Sequence, residues 1–93
     1  MANVIYEIVK EFKTHVDGLE FEIKGRVLKR IMGDSGLTVD YSWEISHYYK
    51  PIDGATVYHP SQTNAESYKR AEHLLLMYMT PFTNIDVEIN RSY

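Results

Sequence analysis

Two stretches of alternating apolar and polar residues flank Asp17-Gly18, and they complement each other when the chain is folded back about that dipeptide. Asp-Gly suits the two positive-φ positions of a type I′ hairpin turn. With Val16 and Leu19 beside the turn, His15 meets Glu20, Lys13 meets Glu22 and Glu11 meets Lys24, so opposite charges share one face. On the other face Val16 meets Leu19, Thr14 meets Phe21, Phe12 meets Ile23 and Ile8 meets Val27, which makes that face largely apolar.

A second turn signal, Gly33-Asp34-Ser35-Gly36, precedes Leu37 to His47, where apolar and polar residues alternate as in a half-buried strand. Folding back at this turn sets Ile31 against Val39, Val27 against Trp43 and Gly25 against Ile45. Arg30 then meets Asp40 and Arg26 meets Glu44 on the reverse face. Both hairpins agree on the apolar face. The pattern predicts three long antiparallel strands over residues 3–16, 19–32 and 38–50, with a core of Phe12, Phe21, Ile23, Val27, Ile31, Val39, Tyr41, Trp43 and Ile45. Gly25 is the natural place for a bulge or kink in so long a strand. Residues 3–16 also fit a 3.6-residue period, so an amphipathic helix capped at Gly18 is the competing assignment.

Residues 50–62 hold two prolines and a glycine and read as a long loop with a short extended piece at Thr56–Tyr58. Thr63-Asn64-Ala65-Glu66 has the form of a capping box, which predicts a helix from there to Thr80, where Pro81 stops it. Tyr68, Ala71, Leu74, Leu75 and Tyr78 form its covering stripe, and Glu66 with Arg70 makes an i,i+4 pair. Residues 74–79 are apolar all round, more than one sheet face can cover. Ile85 to Ile89 alternates as a short last strand. The fold class is therefore α+β: a long antiparallel three-stranded meander, one covering helix and a short C-terminal strand (β-β-β-α-β), as a single domain over residues 1–93.

Composition narrows the function classes. With no cysteine, disulfides and thiolate zinc sites are excluded. A net charge of −3 lacks the basic footprint of a protein that binds nucleic acid duplexes. No stretch approaches the roughly 20 apolar residues of a membrane span, and Glu7 and Lys10 interrupt the N-terminal segment, so the expectation is a soluble, cytoplasmic protein away from the membrane. Asn90-Arg91-Ser92 matches a glycosylation sequon, a coincidence in that setting. Eight tyrosines are the unusual item, since each joins a large apolar ring to a polar tip suited to cores, interfaces and pockets alike.

No nucleophile elbow, phosphate-binding glycine loop or His-Glu-x-x-His run is present, and the sequence implies no cofactor and no metal. His47 and His59, with Asp53 or Glu44, are the only constellation that suggests a small hydrolase. A denser cluster joins Tyr48, Tyr49 and Lys50 to Tyr58 and His59, with Lys69 and Arg70 on the helix; it has the contact types a phosphorylated or nucleotide-like molecule needs. The preferred expectation is a non-enzymatic interaction protein, homo-oligomeric, that binds and occludes a protein partner. Its interface would use Leu76, Met77 and Met79 on the outer side of the helix together with the loop at 47–63.

Overall fold

The computed structural model describes residues 5–32 and 40–93, apart from the side chain of Met32. In chain order the elements are β1 (Ile5–Thr14), β2 (Ile23–Met32), β3 (Tyr41–Ile45), β4 (His47–Tyr48), β5 (Asn64–Ala65), α1 (Tyr68–Met79) and β6 (Glu88–Ile89). β1, β2, β3 and β5 form an antiparallel sheet in the order β1-β2-β3-β5, and β4 pairs with β6 in a second, two-stranded sheet. The architecture is α+β, as the pattern predicts, and residues 5–14 are strand rather than helix. The turn at Gly33–Gly36, the core position Val39 and the first residues of the predicted first and third strands lie outside the described residues.

The second hairpin forms in the predicted register, with Gly25 opposite Ile45, Arg26 opposite Glu44 and Val27 opposite Trp43. Arg26 binds Glu44 at 2.7 Å, and Arg30 approaches Asp40 at 3.7 Å. The first hairpin departs from expectation by two residues: Thr14 faces Ile23 and Glu11 faces Arg26. The cause lies in the turn. Leu19 N–H donates to Val16 O at 3.1 Å, but of Asp17 and Gly18 only Gly18 takes a positive φ (91°), the type II pattern rather than type I′. Type II geometry splays the flanking strands, so the ladder starts only at Thr14 and Ile23. A slip of two preserves which face each residue occupies, and Lys13 still reaches Glu22 at 3.7 Å.

A register shift between Ile8 and Lys10 marks a bulge at Val9, not at Gly25, where both ladders run on regularly. The two-residue slip sets Lys10 opposite Val27, and the bulge beyond it moves Ile8 from the expected apolar face to the reverse face, opposite Leu28. Lys10 then reaches Glu72 of α1 at 3.9 Å. Gly25 serves a different purpose. A Cβ there would lie 2.5 Å from Leu75 Cδ1 and 2.9 Å from Met79 Sδ, so its missing side chain is what lets the helix approach.

The core joins Ile23, Val27, Trp43 and Ile45 of the sheet to Ala71, Leu75, Tyr78 and Met79 of α1, closed by Tyr49, Ala65 and Phe82. Phe12 and Tyr41 pack at its margin, but Phe21 and Ile31 are 43% and 53% exposed. A 12-residue helix is only about 18 Å long and covers roughly five residues of strand, which leaves Ile31 beyond its reach. Ile5, Tyr6, Ile8 and Val9 of β1 are likewise exposed.

The helix begins at Tyr68 with Ser67 as N-cap, whose hydroxyl accepts from Arg70 N–H at 3.2 Å. Thr63 is not the cap, because Trp43 N–H binds its carbonyl at 2.9 Å and Asn64-Ala65 is drawn into the sheet beside β3. Glu66 therefore lies outside the helix, and the predicted i,i+4 pair with Arg70 does not form among the described residues.

At Ser46 the third strand changes partner. Ser46 donates its N–H to Lys24 O at 2.8 Å, its hydroxyl accepts from Lys24 N–H at 2.9 Å, and its carbonyl accepts from Asn90 N–H at 2.8 Å. Asn90 also donates its side-chain amide to Ile45 O at 2.8 Å, which fastens the C-terminal segment across the reverse face. Tyr93 ends there beneath the Arg26 guanidinium, 4.2 Å from ring centre, with its hydroxyl on Glu11 at 3.1 Å. Burial and the Glu11 bond push the Tyr93 phenol up to about 12. Among the described residues no helix is long and apolar enough to cross a membrane.

Candidate functional site

The loop after β4 is strapped to the helix and sheet by its backbone. Tyr58 N–H donates to Tyr49 O at 2.8 Å, the Tyr78 hydroxyl donates to Tyr58 O, and the Trp43 indole N–H donates to Gln62 O at 2.9 Å. Burial among Tyr49, Tyr48 and Tyr58 holds the Tyr78 phenol well above the ordinary tyrosine range, so it stays a donor throughout neutral pH. Between the strapped loop and α1 runs an open groove of about 180 Å³. Trp43 and Tyr78 make its floor, Tyr58 and Pro60 one wall, Leu74 and Met77 the other. Tyr58 and Met77 are 47% and 60% exposed, so the walls present apolar surface to solvent.

Of the residues that the sequence singled out, the structure brings Tyr48 to His59 and Tyr49 to Tyr58, and leaves Lys69 and Arg70 apart from them. Tyr49 is 1% exposed and belongs to the core, with its ring 4.3 Å from Phe82 and 5.1 Å from Tyr78. Lys50 is bound to Asp86 at 2.9 Å, and that hydrogen bond raises its ammonium above the ordinary lysine value. Tyr48 lies against His59, 4.5 Å between ring centres, and lines a second cleft of about 180 Å³ with Pro60, Thr63 and Asn90. Lys69 and Arg70 are exposed in the first turn of α1, about 12 Å or more along the helix axis from Tyr78. Comparison with protein-family models, with curated proteins and with solved structures found no match. Geometry alone therefore carries the functional argument.

His47 and His59 do not converge. His47 stacks on Phe21 at 4.6 Å and shares a hydrogen bond with Ser46 Oγ at 2.7 Å, while His59 lies on Tyr48, the next residue along β4. Burial lowers the His47 imidazole below its usual value. Ser46 is 7% exposed and holds the strand switch described above, so this pair acts in the fold. No three His, Asp or Glu side chains come together as metal ligands among the described residues.

Of the three helix residues expected on the outer surface, Leu76 and Met77 are 37% and 60% exposed, whereas Met79 is 6% exposed beneath the helix and belongs to the core. The sequence placed the loop at 47–63 in the contact without naming Pro60 or Gln62 as site residues, and put Leu74 in the stripe that covers the sheet. The signal available for Leu74 was its i,i+3 relation to Met77, which puts both on the flank that meets the loop. The all-round apolar run at 74–79 calls for a second cover, a loop among the possibilities, but nothing in the sequence says that this loop supplies it.

Proposed function

We propose that the chain is a non-enzymatic interaction protein that binds and occludes a protein partner, with the groove between loop and helix as the contact. The observation that supports this most is the uncovered apolar surface around it: Met77 and Tyr58 on its walls and Leu76 on the next flank of the helix. A groove of about 180 Å³ is below the ~300–1,000 Å³ of small-molecule pockets but suits one inserted side chain, the usual form of an interface anchor. The scattered positions of Lys50, Lys69 and Arg70 weigh against a phosphorylated small ligand. The Leu76 flank, linked to β1 through Lys10 and Glu72, is the surface for self-association.

Two readouts test the proposal. Native mass spectrometry should give a mass above one chain that returns to one chain in Leu76→Asp. Affinity capture should recover a stoichiometric partner with the native chain and lose it with Met77→Asp, at unchanged melting temperature. Capture that is equal for native chain and Met77→Asp removes the groove from the function.

A further inference from the structure

We infer that the segment received by the groove is an acidic stretch of protein that carries one bulky aliphatic or aromatic side chain; this rests on the groove being a protein-recognition site. The groove has room for a single anchor. Its floor is unsuited to nucleobases, because Trp43 and Tyr78 are 4% and 3% exposed and offer no open ring face for stacking. The rim supplies the charge preference. Helix periodicity sets Arg70, Leu74 and Met77 in line at i, i+4 and i+7, with His73 beside Met77 and Lys69 further round the helix, toward Leu76.

Lys10, Lys13, Arg26, Arg30 and Lys50 each have a carboxylate partner, whereas Lys69 and Arg70, like Lys24, Lys29 and Arg91, have no ion pair among the described residues. Glu66 is the only carboxylate between residues 57 and 71. Glu72 is held on the opposite flank by the Tyr68 hydroxyl and Lys10. A chain that seats its anchor between Tyr58 and Met77 therefore leads its neighbours past Arg70, with Lys69 within reach further round the helix. Arg70 lies about 6 Å from Leu74 and about 10 Å from Met77 along the axis, which at ~3.3 Å per extended residue puts the favoured carboxylates two or three positions from the anchor. The chain as a whole is at −3, so the preference is local and will fade with salt.

Trp43 is the only tryptophan and lines the groove, so its emission reports occupancy. The probes are short Trp-free peptides with a central Leu or Phe flanked by Asp and Glu, the same anchors flanked by Lys, and acidic peptides with Ala at the centre. The acidic anchored peptides should shift Trp43 emission saturably and bind about tenfold tighter than the Lys-flanked ones. High salt, or Lys69→Glu with Arg70→Glu at unchanged melting temperature, should erase that margin. Equal binding of acidic and basic anchored peptides overturns the acidic preference and leaves the groove standing. Silence from every anchored peptide overturns both. An oligothymidylate that outcompetes the acidic peptides, or emission that changes with protein concentration alone, would assign the groove to a nucleic acid or to a second copy and also overturns the inference.

Discussion

Gly25→Ala tests how closely the helix is set upon the sheet. The new methyl would sit 2.5 Å from Leu75 Cδ1, 2.9 Å from Met79 Sδ and 3.2 Å from Leu75 Cδ2, all closer than carbon and sulfur tolerate. Met79 can turn its thioether aside. Leu75 is fully buried, and close-packed interiors hold few voids, so helix and sheet must separate or Leu75 must leave its rotamer. Overpacking of this kind costs about 1–3 kcal/mol. The reduced freedom of the unfolded chain returns about 0.4–1 kcal/mol for Gly→Ala, because Gly25 does not need a positive φ. The net expectation is a loss of about 1–2 kcal/mol, which for a chain of this size lowers the melting temperature by roughly 5–15 °C. Urea unfolding followed by far-UV circular dichroism measures it. Leu75→Val completes a double-mutant cycle, since the shortened side chain vacates the space the methyl needs, and the double variant should lose clearly less than the sum of the singles. A Gly25→Ala protein as stable as the native one, or strictly additive losses, would refute the proposed close approach.

Two further outcomes follow from the same structure. Ser67→Ala should cost about 1 kcal/mol by removing the N-cap, whereas Thr63→Ala should stay within about 0.5 kcal/mol because only its backbone is used; urea midpoints distinguish them. The unfolded chain protonates His47 near its usual value of about 6.5 while burial lowers it in the fold, so the unfolded state takes up more protons as pH falls through that value. Stability is then full above about pH 6.5 and declines below it, and the melting temperature of His47→Phe should change less between neutral and mildly acid pH than that of the native chain.

The alternating pattern by itself determined the antiparallel strands, the register of the second hairpin and the face of the strand residues outside the bulged start of β1, because side chains of period two on a half-buried strand leave little freedom. Arg26 with Glu44 and Val27 with Trp43 could be paired from the sequence for that reason. It also marked the region of the helix and its end at Pro81. Only the tertiary structure decided the rest. The turn at Asp17-Gly18 is docked by Asn84, whose amide donates to Asp17 O at 2.9 Å from 67 residues away, and no local rule for Asp-Gly turns contains that contact. The helix starts at Tyr68 because β3 claims Asn64-Ala65 as a sheet neighbour, which outweighs the capping box at Thr63. Tyr49, Lys50, His59 and Arg70 looked like one cluster because they lie near one another along the chain or carry matching chemistry. Strand alternation buries Tyr49 in the core and turns Tyr48 with His59 another way, the length of α1 leaves Arg70 apart, and the groove instead arises where Tyr78 fixes the loop against the helix. Local periodicity constrains each element, while packing of distant segments chooses which of their surfaces meet.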